Sequence, residues 1–583
     1  MSNNIKKVNY KSTIPFIFFF ILLLASLSVI YLFTTDFGNI DLQHVIIPND
    51  SKPISGLLYI PKAASQNNPL PCVILAHGIS NAKETMSDLA VELSRNNVIS
   101  LAIDDVGHGD SGGVLHLDDI SSLGVSASID YVKTLPFVDT SKIGLIGHSL
   151  GAGAVVSALK THQDINSVIL IGGGIGPLTS SENSAVLNAT YPKNLLIIIG
   201  SEDVLFSQEE IKGRILPPIF NSSSSIITGQ LYGSFDSNTA RKLITPKIVH
   251  IFEPIDPETI ITSIDWIQSS LKPNLPLINK DPVINYSTRD LFNIISFILI
   301  VITIIYYCNT IYEFIYQKKD KLRQFEYQEF IPLSRIGILS FIALGVFLPV
   351  VPLGFVLPFP PAIFGSSIAW WVLGVGVVTL LIIKYGYSKS KGIRINLWSE
   401  IKALFNLTDV IIGIIVVVSV YIFIFVIEIF STVNIRLMIP IFNVITLVNR
   451  LLDLLFYIPF FLIYFIAESI LFAHITNRGI KEKDIREFTK FSFWATILTV
   501  ISFIVLLIAY ILPMFLFNLR IIPGMIGFFI EFLFLIFPLL LTQQIISYTL
   551  YYKQKKFTTG IVINTLLISW ICASLFPLTM LLI

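Results

Sequence analysis

Apolar residues fall along this chain in two rhythms. Between residues 41 and 270 they come in short runs separated by glycine-rich turns and helical stretches. "VIIP" and "GLLYIP" are followed by "PCVILAHG", a helix over 84–96, "VISLAID" and a helix over 120–134. Then come "KIGLIGHS", a helix from Leu150, "INSVILIGGG", "NLLIIIGSEDV", a strand near 244–251 and a helix over 257–270. Continuous apolar runs bounded by helices are strands buried on both faces. The pattern predicts a mostly parallel sheet covered by helices on both sides, a doubly wound α/β layer.

The second rhythm is far longer. "IPFIFFFILLLASLSVIYLF" (14–33) is uncharged and long enough to cross a bilayer. From Leu291 onward comparable segments return, at 291–312, 335–357, 363–384, 409–431, 452–474, 491–516, 522–549 and 558–582. The sequence therefore divides into an anchor over 1–35, an α/β domain over 36–286 and an all-α membrane bundle of about eight helices over 287–583, with nine spans expected in all. The segment 434–450 is an alternative candidate for the membrane interface.

Charge adds an orientation. Lys6, Lys7 and Lys11 precede the first span, and the loops "QKKDKLR", "KYGYSKSKGIR", "NRGIKEKDIR" and "KQKK" all fall on one side of the expected bundle. By the positive-inside tendency that side and the N-terminus face the cytoplasm, which leaves the α/β domain outside it. The first run is long for a signal peptide and lacks an A-x-A site, so it reads as an uncleaved anchor. Sequons at Asn49, Asn188, Asn221 and Asn285 suit an external face, although Asn406 carries another on the expected inner side. Only 14% of the 583 residues are charged, against roughly 25% in soluble domains, and the net charge of +1 points to no nucleic-acid partner. Cys72, Cys308 and Cys572 lie far apart, without metal-ligand spacing.

Candidate chemistry centres on "KIGLIGHSLGAG". Here Gly147-His148-Ser149-Leu150-Gly151 falls where a strand runs straight into a helix, the context that gives a G-x-S-x-G pattern meaning. Gly147 and Gly151 leave room for a tight turn. Such a turn presents Ser149 at the sheet's C-terminal edge, beside a helix N-terminus whose free N–H groups favour an oxyanion. A nucleophilic serine needs a base and a group to orient it. Downstream, the α/β domain offers His162, at the end of a helix, and His250, between the last strand and the last helix. Glu202 and Asp203 follow an earlier strand, and Ser149, Asp203, His250 is the nucleophile–acid–base order of this architecture.

With these residues in view, the domain resembles the α/β-hydrolase superfamily over roughly 41–270, in the branch of serine-aminopeptidase-like enzymes, lysophospholipases and dienelactone-hydrolase relatives. Ala76-His77-Gly78 is similar to the family's oxyanion loop after the third strand. "IDDVGHGDSGG" (103–113) is similar to its D-x-x-G-x-G-x-S-x-G loop. The resemblance implies an oxyanion hole from the N–H groups of Ile79 and Leu150, with His77 and His108 shaping loops. It implies Asp203 rather than Glu202 as the acid, and leaves Asp236 and Asp265 as ordinary carboxylates. About twenty residues separate "VILIGGG" from "NLLIIIG", too few for the family's helical cap. Any cover must come from elsewhere, and "LPPIFNSSSSIITGQLYGSF" is a candidate lid or a contact to the bundle.

The reading is a membrane-bound serine hydrolase acting on an ester, thioester or amide of a small-molecule, lipid-like or peptide substrate, needing neither cofactor nor metal and surrounded by membrane lipids. The alternatives are an aminopeptidase-like enzyme, or a transporter- or receptor-like bundle whose α/β domain only binds. Glu428, Asp453, Glu468, His474, Glu531, Gln543 and Gln544 fall in expected spans, where polar groups raise a functional hypothesis. Several lie near helix ends.

Overall fold

A computed structural model describes residues 11–116, 121–175, 186–271, 282–316, 353–387, 395–476, 485–517 and 524–579, apart from 358 and 438, together with some residues of 338–346, 519 and 522. Helix α1 (Thr13–Thr34) leads into a nine-stranded sheet. Its strands are β1 (Ile40–Ile47), β2 (Ile54–Pro61), β3 (Leu70–Ala76), β4 (Ile99–Ile103), β5 (Val138–His148), β6 (Ser167–Ile171), β7 (Leu195–Ile198), β8 (Leu231–Tyr232) and β9 (Arg241–Ile244). Their order is β1-β2-β4-β3-β5-β6-β7-β9-β8, parallel from β4 to β9 and antiparallel at both edges.

Period-two burial decides which side chain meets which layer. Along β3, Leu70, Cys72, Ile74 and Ala76 enter one core with α3 (Val125–Lys133) and α4 (Leu150–Ala158). Val73 and Leu75 enter the opposite core with α2 (Ser87–Arg95) and α5 (Pro257–Leu271). This is the doubly wound α/β layer, with the α/β-hydrolase strand order.

Two local expectations change. The strand placed near 244–251 ends at Ile244, and His250–Ile255 forms a 3₁₀ turn instead. Pro246, with no N–H to give a ladder, ends the strand. Of the stretch 216–235, expected as a lid or a contact to the bundle, the first half packs inward: Leu216, Ile219, Phe220 and Ile226 are buried in the sheet's own core.

The long helices that follow are α6 (Pro282–Ile315), α7 (Ile363–Leu381), α8 (Leu407–Ser431), α9 (Val448–Thr476), α10 (Ile485–Phe517), α11 (Met525–Gln554) and α12 (Thr558–Leu575). Among the described residues, seven stretches are long and apolar enough to cross a membrane: Thr13–Thr34, Pro282–Ile315, Phe364–Tyr385, Leu407–Ser431, Arg450–Ala473, Met525–Gln554 and Thr558–Leu575. This is the composition of a multi-pass membrane protein. Much of the expected span 335–357 lies outside the described residues, and α10 contributes a shorter apolar stretch, Ile504–Phe517. Polar groups pair within the bundle, Gln544 donating to Glu468 (2.6 Å) and Tyr510 to Glu531 (3.2 Å). The side chain of His474 is outside the described set.

Bundle and hydrolase layer are joined by buried charge. Asp88 of α2 faces Arg289 of α6 at 2.9 Å and Arg436 at 2.5 Å, all three side chains almost fully buried. Arg436 belongs to the 434–450 segment, which turns back onto the hydrolase layer through a two-residue hairpin. A second joint lies at the 104–115 loop. Leu115 N–H donates to the Leu578 carbonyl (2.7 Å), Leu578 N–H to the Gly107 carbonyl (2.9 Å), and Arg450 of α9 to that same Gly107 carbonyl (2.7 Å).

Candidate active site

Three loops at the C-terminal ends of the parallel strands meet at Ser149. The first is the turn from β5 to α4. Ser149 has φ 51° and ψ −112°, a conformation unfavourable for a residue with a Cβ. It is held there by its N–H bond to the Ile171 carbonyl (2.8 Å) and by the bond from Gly151 N–H to the His77 carbonyl (3.0 Å). A Cβ on Gly151 would stand 2.5 Å from the Ala76 and His77 carbonyl oxygens. Gly151→Ala is therefore expected to lose most activity and to lower the unfolding midpoint, since no flexible side chain is available to move aside. Thermal denaturation alongside an ester assay checks this.

The second and third loops bring the acid and the base. Asp203, just beyond β7, and His250, opening the turn after β9, are both buried. His250 Nε2 lies 2.9 Å from Ser149 Oγ, and its Nδ1 lies 2.8 Å from Asp203 Oδ2. The other oxygen of Asp203 accepts the Leu205 N–H (2.8 Å), which fixes the carboxylate. Ser149 itself is partly exposed, so its hydroxyl borders open space.

The other sequence candidates take separate places. Glu202 lies within hydrogen-bond distance of the Ser201 hydroxyl (3.2 Å) and is not joined to His250. His162 sits at the far end of α4 against Asp130 (3.2 Å), while Asp236 and Asp265 are exposed. His77 donates from Nδ1 to the Gly78 carbonyl (2.7 Å) and accepts the Asp105 N–H at Nε2 (3.1 Å). His108 accepts the Ser80 N–H at Nε2 (3.4 Å). Burial pushes the pKa of both rings down, so each stays neutral and shapes its loop. His148, between the flanking glycines, lies against His250 with ring centroids 5.1 Å apart and planes tilted by 36°. Burial, and then the neighbouring His250, depress its pKa strongly. Gly78 leaves room for this ring, since a Cβ there would meet His148 Nδ1 at 2.7 Å. Ile79 follows Gly78 and Leu150 opens α4; neither N–H has an acceptor among the described residues.

Sequence reasoning missed Glu253. It is fully buried, accepts the Gly200 N–H (2.6 Å) and lies 3.6 Å from Nδ1 of His250. A carboxylate three residues after a candidate base is one 3₁₀ turn away, and that spacing could have signalled it. Burial, reinforced by the Asp203 charge, raises its pKa well above the ordinary value. In the unfolded chain Glu253 ionises near 4.3, at about the usual glutamate pKa. In the fold it keeps its proton to higher pH, so its cost to stability grows as pH rises above that value. Glu253→Gln has no proton to lose. Its melting temperature relative to wild type is expected to rise between pH 5 and pH 8, and a flat difference would mean that Glu253 is ionised in the fold.

His148, His250 and Glu253 bring one donor atom each within 4.8 Å of one another, close enough to hold a metal ion. Both nitrogens of His250 are already engaged by Ser149 and Asp203, so an ion there would compete with that arrangement.

The site's cover comes from the bundle. The Phe528 ring of α11 stands edge-on to the His250 ring with centroids 5.4 Å apart. Gly524 N–H donates to the Val204 carbonyl (2.8 Å), and Lys247 reaches the Phe515 carbonyl (2.9 Å). Val204 and Val249, neighbours of Asp203 and His250, are buried in one apolar cluster with the bundle helices.

Residues 67–210 match the family described as "Serine aminopeptidase, S33". The chain is 29% identical over 124 residues to the uncharacterized protein YcjY of Escherichia coli K12, a match over 21% of this chain and 40% of that protein. It is 28% identical over 116 residues to the uncharacterized protein PA2218 of Pseudomonas aeruginosa, over 19% of this chain and 31% of that protein. It thus spans well under two thirds of either curated relative. Among solved structures, the Pyrococcus furiosus esterase Pf2001 aligns over 41% of this chain and 96% of its own, at 16% identity and a TM-score of 0.31. A dienelactone hydrolase from Anabaena variabilis aligns over 40% and 99%, at 20% identity and a TM-score of 0.27.

Proposed function

We propose that this α/β-hydrolase-fold protein is a membrane-bound serine hydrolase that cleaves ester, thioester or amide bonds through an acyl-enzyme. Its hydrolase domain (36–286) is held outside the cytoplasm by the anchor (1–35) and the bundle (287–583). The observation that carries the reading is the continuous relay from Ser149 Oγ to His250 Nε2 (2.9 Å) and from His250 Nδ1 to Asp203 Oδ2 (2.8 Å). Asp203 accepts the Nδ1 proton and so leaves the Nε2 lone pair facing the serine. As Ser149 Oγ bonds to the acyl carbon, its proton passes to Nε2, and the imidazolium then protonates the departing alcohol, thiol or amine. Water attacks the acyl-enzyme by the same route, and the carboxylic acid leaves. The free N–H groups of Ile79 and Leu150 are the donors available to the tetrahedral oxyanion. The strained φ of Ser149 supports catalysis over mere binding, because a binding surface has no need of a costly backbone conformation.

The match of 67–210 to serine aminopeptidases keeps a peptidase as the second reading. Turnover of aminoacyl amides against simple esters separates the two. A fluorophosphonate probe on isolated membranes tests both: wild type is expected to label and Ser149→Ala to be silent, whereas equal labelling would end the catalytic reading. Protease added to intact cells tests orientation, with cleavage of the hydrolase domain expected.

A further inference from the structure

Phe528, which covers His250, belongs to an aromatic column that leads away from the site into the bundle. One turn along α11, Phe532 lies 5.0 Å from Phe528, and Phe364 of α7 stacks on Phe532 at 5.5 Å. Phe532 is also a wall of a cavity of about 60 Å³ between α7, α9, α11 and α12, closed on its other sides by Trp371, Phe465, Leu539, Ile568 and Leu575. Its lining is apolar apart from Tyr464, Gln543 and Cys572. A space of that size exceeds what one water molecule needs and admits a short stretch of one alkyl chain. Apolar cavities stay dry and take up hydrocarbon readily. At the opposite end of the column, Ser149 is partly exposed, while Ile79 and Leu205 beside it pack against the bundle's apolar cluster. The column therefore runs from His250, the hydrogen-bond neighbour of Ser149, to a hydrocarbon slot, with the Phe528 ring at its His250 end.

We propose that this cavity receives the far end of an unbranched acyl chain whose carbonyl lies at Ser149, so that the substrate is a fatty acyl ester drawn from the surrounding membrane. The inference rests on Ser149 being the nucleophile. The bundle is then a part of the substrate site as well as an anchor. For a chain entering from water, each methylene buried is worth roughly a factor of four in binding, so chain length is a sensitive readout.

The test uses the full chain in nanodiscs and a dodecyl fluorophosphonate carrying a diazirine at the tail end. The expected result is Ser149 modified and, after photolysis, the tail crosslinked within 532–543 or 568–576. Ser149 modified with the tail crosslinked to lipid or to hydrolase loops would overturn the inference while leaving the nucleophile standing. No modification of Ser149 would overturn both. As a second measurement, Leu539→Trp fills the slot and is expected to lower the ratio of decanoyl to acetyl ester turnover at least tenfold. An unchanged ratio in folded protein would count against the cavity as the chain's site.

Discussion

Asp203→Asn is expected to lower kcat for a simple ester about 10⁴-fold, the loss seen when a triad acid is replaced by its amide. The reason is geometric. Asp203 accepts the Nδ1 proton of His250 at 2.8 Å, and its second oxygen is held by the Leu205 N–H. An amide can keep the second bond, but it can also present N–H to Nδ1, which moves the ring proton to Nε2 and points it at the serine. The hydroxyl then has no base. KM should change much less than kcat, because neither carboxylate oxygen touches the substrate. Glu202→Gln is the matched comparison. Glu202 is adjacent in sequence but is engaged with Ser201, so its turnover should stay within about tenfold of wild type by the same logic of roles. Steady-state kinetics on the two variants decides the acid: a large loss at Glu202 with a small one at Asp203 would reverse the assignment.

The second large effect is on stability. Asp88→Asn is expected to destabilise the folded protein by about 3–5 kcal/mol, the usual cost of removing one member of a buried ion pair. Asp88 serves two guanidinium groups, Arg289 at 2.9 Å and Arg436 at 2.5 Å. Arg436 retains Asp290 (3.2 Å), whereas the remaining carboxylate within 4 Å of Arg289 among the described residues is Glu92 (3.8 Å). Because the pair bridges the hydrolase layer and the bundle, the loss should appear first as separation of the two. Faster proteolysis of the hydrolase layer in detergent, ahead of global unfolding, is the expected signature. An unchanged denaturation midpoint would show that the pair merely offsets its own desolvation.

Much of the hydrolase layer was legible because its information is local. The alternation along β3 and the step from "KIGLIGH" into α4 each lie within a dozen residues, and turn chemistry at Ser149 is written in its flanking glycines. Position after apolar runs points to Glu202, Asp203 and His250, and the family resemblance prefers Asp203, the carboxylate that lies 2.8 Å from His250. The strand drawn through 244–251 failed for a local reason too, since apolar content was weighed above Pro246. What escaped detection is long-range. Nothing in "MIGFFIEF" indicates that Phe528 will rest on His250, nearly three hundred positions away in sequence. Nor does an arginine at 436 announce an aspartate at 88 as its partner. Such pairings depend on how the bundle sits against the sheet, which periodicity does not encode. The nine-span count rests on hydropathy, which gives lengths, and seven stretches among the described residues have the length and composition to cross.

The joint between the 104–115 loop and Leu578 bears on how the protein is made. The hydrolase segment, with Ser149, Asp203 and His250, is translated early, yet the Leu115 N–H and one of the bonds to the Gly107 carbonyl wait for Leu578, which follows every membrane helix described here. Asp88 likewise waits for residues 289 and 436. Until residue 436 has emerged the nascent hydrolase layer holds a buried acid without both of its counter-charges, and until α12 has followed it holds a loop without its partner at Leu578. Domains of nascent chains usually close in order of appearance. Here a bond of an early loop is completed only by a residue that follows α12, so the hydrolase layer closes fully only once α12 has been made.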